Sequence, residues 1–204
     1  MHTPINLLVE GLTDEVVLHR LLAYTRLRPG ITYGKNGKAA LLQRLPNYNQ
    51  AAYHYPWLVV VDLDQDAACA PDYIAQLLPQ VAPQLYLRVA VRAIEAWLLA
   101  DAENLTAFLS TPRQRAPQWP EAEQDPKATL VDLARHSRSR AIREDIVPRP
   151  ASGAKVGPGY AGRLIEFVAG NHTHTWRPAV AAERADSLHR CLQALHHLAT
   201  GRSG

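Results

Sequence analysis

Acidic side chains stand in this chain where apolar runs end. Ile5-Asn6-Leu7-Leu8-Val9 delivers Glu10, and Trp57-Leu58-Val59-Val60-Val61 delivers Asp62, Asp64 and Asp66. Apolar runs of about five residues bounded by turn chemistry read as buried strands, and the carboxyl ends of parallel strands line a ligand crevice. Carboxylates gathered there repel one another, by about 4 kcal/mol per pair at roughly 4 Å and a protein-like dielectric, so a convergent set needs a cation. Ligands that are all oxygen favour Mg2+ or Mn2+.

Several further residues extend this set. Asp14 follows Glu10 by one helical turn, so the two are neighbours if a helix begins there. Asp14 and Glu15 also suit a helix's first turn as ordinary dipole-compensating acids. Alternate residues share a face of an extended chain, so Asp62 and Asp64 can reach one ion if the backbone curls slightly. A solvated acidic loop is the plainer reading, and it suits Asp66 best. Glu95 follows a third strand-like run, which lifts the pattern above a lone DxD, and Arg92 is either its ion-pair partner or a phosphate contact.

The elements that must position these residues alternate. Strands are expected at 5–9, 31–33, 57–61 and 84–91, with helices opening near Thr13, running through Leu41, Leu42 and Leu45 to stop before Pro46, then at 71–78 and 94–100. This is the signature of an α/β fold, a mostly parallel four-stranded sheet with flanking helices. From residue 103 the pattern turns helical and proline-interrupted, with helices expected at 103–109, 126–136, 159–169 and 178–199. The division is therefore a domain at 1–102 and a mainly helical C-terminal appendage at 103–204, ending in a frayed tail at Gly201 to Gly204.

Composition bounds the setting. No apolar stretch approaches a membrane span and no leader pattern precedes the first strand, so a cytoplasmic protein is expected. Cys69 and Cys191 offer neither a disulfide framework nor zinc spacing. Residues 1–102 hold 8 Lys and Arg against 9 Asp and Glu, whereas 103–204 hold 14 against 10. An acidic pocket with a basic second half suits a polyanion. Lys38, Arg92 and Lys155 are candidate phosphate contacts; the run Arg135–Arg143 is either another or a solvated surface. The glycine-rich stretch Gly153–Tyr160 lacks the Lys-Ser/Thr ending of a P-loop and reads as a turn that places Tyr160 and Lys155.

Val9-Glu10-Gly11-Leu12-Thr13-Asp14-Glu15 followed by Asp62-Leu63-Asp64 resembles a TOPRIM domain, a Rossmann-like metal-binding domain of topoisomerases, primases and OLD-type nucleases. Ile94-Glu95-Ala96-Trp97-Leu98-Leu99-Ala100-Asp101, Gly37-Lys38 and Asp125-Pro126-Lys127 resemble more closely a bacterial TOPRIM-like family, domain of unknown function 4276. The resemblance implies that Glu10 is an acid–base group or ligand, that Asp62 and Asp64 bind magnesium, and that Asp14 and Glu95 complete a possible two-ion site. It also implies a nuclease cutting DNA or RNA, in bacterial defence beside an ATPase partner. Other readings left open are a non-cleaving subunit that binds nucleotide or nucleic acid, and a small-molecule phosphohydrolase; a homo-oligomer is compatible with each.

Overall fold

The apolar runs form the middle of a sheet. In this computed structural model, which describes residues 3–201, β1 (Ile5–Val9) and β3 (Trp57–Asp62) are almost wholly buried. β4 (Leu85–Ala90) alternates buried with half-buried residues, and β2 (Pro29–Gly34) alternates exposed with half-buried ones, as an edge strand does. The order is β2-β1-β3-β4 and every pairing is parallel. With its flanking helices and helical C-terminal part, the protein is of the α/β class, and its sheet fits a Rossmann-like fold. Among the described residues, no helix is long and apolar enough to cross a membrane.

Chain direction along the sheet reverses once. The step from β1 to β2 runs one way, and the step from β2 to β3 runs back past β1. Right-handed crossovers then put α1 (Leu12–Tyr24) on one face and α2 (Gly37–Ala51) and α3 (Ala70–Leu77) on the other. A buried cluster joins Leu41 and Leu45 of α2 and Tyr73 of α3 to Leu8, Val59, Val61, Leu87 and Val89 of the sheet. Val17, Leu18, Leu21 and Leu22 of α1 are fully buried, and α1 packs on β1 and β2. β1 and β3 therefore flank the switch point, where an open α/β sheet leaves a crevice beyond its carboxyl ends.

The structure departs from the sequence reading in four places. α2 does not stop before Pro46 but continues to Ala51. A proline inside a helix costs about 3 kcal/mol or more. Contacts beyond it offset this: the Asn49 side chain donates to the Gln80 carbonyl (2.9 Å) and accepts from the Ala82 N–H (2.8 Å), and the Tyr48 ring packs 4.7 Å from that of Trp57. Thr13 does not cap α1; the cap position is Gly11. The basic run contains a helix, α7 (Arg140–Ile146), capped by the Ser139 hydroxyl, which accepts from the Ile142 N–H. The last helix is two, α9 (Pro178–Ala182) and α10 (Asp186–Thr200). Between them the Arg184 side chain donates to the carbonyls of Ala100, Pro117 and Gln118.

The compact units also divide differently from 1–102 and 103–204. One comprises Met1–Val91 with Ser187–Gly204, and the other Arg92–Asp186. Most of α10 belongs with the sheet: the Ser187 hydroxyl accepts from the Val91 N–H (3.3 Å) and the Tyr24 and His196 rings meet edge to face. α4 (Ile94–Ala100) does not; all seven of its residues are buried in the second unit, against α5 (Ala102–Phe108), α6 (Pro126–Arg135) and α9. α8 (Tyr160–Ala169) packs on α7. Cys191 is buried, Cys69 is half-buried, and both are free thiols. Beyond Gly201 the expected tail lies outside the described residues.

Candidate functional site

Glu10 and Asp62 meet across the switch point. The Asp62 N–H donates to Glu10 Oε1 at 3.1 Å, so the carboxylate that follows β1 closes over the end of β3. The turn after β2 completes this edge. Gly34, at φ +101, lies so close to β1 that a Cβ there would sit 2.1 Å from the Val9 carbonyl oxygen, and only glycine permits the approach. The N–H groups of Lys35 and Gly37 then donate to the carbonyls of Val9 and Glu10 (3.0 and 2.9 Å). That wrap delivers Lys38, in the first turn of α2, into the acidic cluster.

Lys38 is the hub. Its Nζ donates to the Asp62 carbonyl (2.6 Å) and pairs with Asp64 Oδ2 and Asp66 Oδ2, both at 2.7 Å. Asp64 adopts φ +48, a left-handed conformation that Asp tolerates better than most residues, and the chain curls there so that carboxylates two residues apart share one ammonium. Tyr73 fixes the far side, donating its hydroxyl to Asp66 Oδ2 (2.9 Å), with Lys38 Nζ 5.3 Å from its ring centroid. Asp66 lies in an exposed loop, as expected from the sequence, and also joins the cluster.

The electrostatics single out Glu10. Burial raises its carboxyl pKa most; Asp14 and Asp64 raise it further, against the lowering effect of the Asp62 N–H and of Lys38, and the result is about 7. Asp14 is itself buried in the first turn of α1. Burial disfavours the Lys38 charge, but the hydrogen bonds to Asp64 and Asp66 outweigh this and hold its pKa above the ordinary lysine value. The Lys38 hydrogen bond chiefly, and that from Tyr73, hold Asp66 below the usual carboxylate range. Replacing Lys38 with methionine should therefore raise the Glu10 pKa above about 7. Carboxyl-carbon NMR titration reads this directly, and an unmoved Glu10 curve would refute the coupling.

Donor chemistry at this edge suits a hard cation, since Glu10, Asp14, Asp62 and Asp64 offer only oxygen. A carboxyl whose ionisation is suppressed by burial, and further by its acidic neighbours, is also one that a cation would ionise. Among the described residues, however, no three His, Cys, Asp or Glu side chains gather as a ready ligand set. Lys38, a candidate phosphate contact, sits between Asp64 and Asp66 and pairs with both.

Glu95 lies in the second unit and has partners of its own. It is 4% exposed; Oε1 accepts from the Tyr160 hydroxyl (3.0 Å) and lies 3.4 Å from Lys127 Nζ, whereas Oε2 is buried without a hydrogen-bond partner. Asp125 caps α6 through the Ala128 N–H (2.9 Å) and Pro126 opens that helix, which explains the Asp-Pro-Lys motif as a device for aiming Lys127. The sequence reading did not anticipate Lys127 as the partner; the motif itself was the available signal. Arg92, in the segment that follows β4 in sequence, is half-buried, and Lys155 is exposed.

A four-stranded parallel sheet with the Glu10 carboxylate bonded to the Asp62 N–H across its switch point places this protein in the α/β class. The chain matches no protein-family model, and no curated protein or solved structure is significantly similar to it.

Proposed function

We propose that the β1–β3 edge is a hydrolytic centre that cleaves phosphodiester bonds of DNA or RNA with Mg2+ or Mn2+. The observation that carries this reading is the Glu10–Asp62 contact across the switch point, with Glu10 poised near pH 7. A group with that pKa can take a proton from an attacking water at neutral pH or return one to a leaving oxygen, a contribution of typically 10²- to 10⁴-fold. To hold the cation, Asp62 and Asp64 would have to draw together with Glu10, Asp64 exchanging Lys38 for the metal; the cation would then supply charge stabilisation for the phosphoryl oxygens. Lys38 keeps Asp64 and Asp66 compensated. The link to bacterial defence and an ATPase partner rests on the TOPRIM-like resemblance alone.

The test uses purified protein with magnesium or manganese and separate DNA, RNA and nucleotide substrates. The expected result is nucleic-acid cleavage that falls at least about 100-fold in Asp62→Ala and Glu10→Ala. Turnover of nucleotides alone would make the protein a small-molecule phosphohydrolase. Magnesium binding in calorimetry without any turnover would make it a binding subunit, and magnesium affinity unchanged in both variants would remove the metal site from the reading.

A further inference from the structure

A second charged feature lies wholly within the second unit. Arg135, Arg140, Arg143 and Arg149 line an open groove of about 790 Å³ beside α7 and the segment that follows it. The two acids in its lining are already engaged: Glu144 pairs with Arg140 (2.7 Å), and Asp145 with Arg163 (2.8 Å), which also holds Glu166. The Arg140–Glu144 pair is solvent-exposed, and such pairs contribute at most about 1 kcal/mol, so a phosphate can replace the carboxylate at small cost. Arg143 donates to the Ser137 carbonyl, which leaves most of its five N–H groups for other acceptors. Arg149, between Pro148 and Pro150, makes no ion pair among the described residues.

The walls are built before any ligand arrives. Pro148 and Pro150 fix the backbone on both sides of Arg149. The 157–159 loop is strapped to the end of α7, with the N–H groups of Gly157 and Gly159 donating to the carbonyls of Ile146 and Asp145, both at 2.8 Å. A Cβ on Gly157 would lie 2.4 Å from the Asp145 oxygen, so the contact requires glycine. Pro158 of this loop lines the groove, and two residues later Tyr160 reaches Glu95.

We propose that this groove binds the sugar-phosphate backbone of a nucleic-acid strand independently of base sequence. It deepens the phosphodiesterase reading by naming the surface that holds the substrate, although strand binding does not depend on cleavage. Guanidinium groups engage phosphate oxygens bidentately, and several along one open groove match a repeating polyanion better than a single phosphate. Among the described residues no aromatic side chain lines the groove, so bases find no stacking platform there, and the contacts fall on the backbone.

The experiment measures anisotropy of a short labelled DNA of mixed sequence in EDTA, which separates binding from cutting. With three or four phosphates engaged, the logarithm of affinity should fall against that of salt with a slope of about −2 to −4. Arg140→Glu with Arg149→Glu should weaken binding about 10- to 100-fold and reduce the slope by about 2. Arg149→Ala, which keeps the Arg140–Glu144 pair, should give a smaller loss in the same direction. Arg113→Glu with Arg115→Glu makes the same charge change elsewhere on the unit and should have little effect. Unchanged affinity in the groove variants, or an equal loss in the Arg113 and Arg115 control, overturns the proposal. Absence of cleavage with wild-type binding intact would defeat the phosphodiesterase reading and leave the groove standing.

Discussion

Glu10→Gln should stabilise the protein at pH 8 while abolishing the proposed hydrolytic activity. The carboxyl pKa of about 7 against an ordinary 4.5 means that, between those values, the folded state holds a proton that the unfolded chain has released. Stability from this group is then fully present below about pH 4.5 and is lost as pH rises through about 7. Above that, the ionised carboxylate costs the fold up to about 3 kcal/mol, less to the extent that solvent reaches it. Glutamine cannot ionise, and its carbonyl can still accept from the Asp62 N–H, so the variant escapes the cost. Urea unfolding at pH 4 and pH 8 should give equal stability for the two proteins at the lower pH and a Glu10→Gln advantage at the higher one. Magnesium should narrow that advantage, because a cation beside Glu10 favours its ionised form. Parallel pH profiles for the two proteins would show that Glu10 is not the strained group.

The same local logic explains what could be read from the sequence. Glu10 and Asp62 were legible because each directly follows an apolar run, so a strand assignment alone places them at the sheet's carboxyl edge. Lys38 was visible only as one cation among several. Its place among Asp62, Asp64 and Asp66 depends on the Gly34 approach to Val9 and on the left-handed turn at Asp64, neither of which has a periodicity. The sequence places the end of α2 too early because Pro46 is a local signal, whereas the anchors that override it, Asn49 to Gln80 and Ala82, are about thirty residues distant. α7 has little signal in the sequence because its charged residues mask a pattern of only two buried positions, Ile142 and Ile146. Glu95 was legible as a special acid, but its partners Lys127 and Tyr160 come from helices 32 and 65 residues away.

Asp101→Ala should be among the most destabilising substitutions in the second unit. Asp101 is fully buried. It accepts from Arg177 Nη2 (2.6 Å), Nε (3.0 Å) and the backbone N–H (2.9 Å), and caps α5 through the Asn104 N–H (3.4 Å). The segment it pins includes Trp176, fully buried, whose indole N–H donates to the Trp97 carbonyl at 3.0 Å. Breaking a buried ion pair costs roughly 3–5 kcal/mol when the orphaned charge stays buried. Here the orphan is Arg177, whose side chain is 36% exposed and keeps Glu103 at 2.9 Å, so the effect should lie near the lower end, about 3 kcal/mol, or a Tm lowered by roughly 6–12 °C. The reverse substitution, Arg177→Ala, leaves a carboxylate fully buried with only backbone donors, and should cost at least as much even though it removes fewer hydrogen bonds at Asp101. Since each single change already forfeits the pair, the double variant should be less destabilised than the sum of the two. Additive losses in that cycle would mean that Asp101 acts through the backbone N–H groups of Asn104 and Arg177 and that its ion pair contributes little.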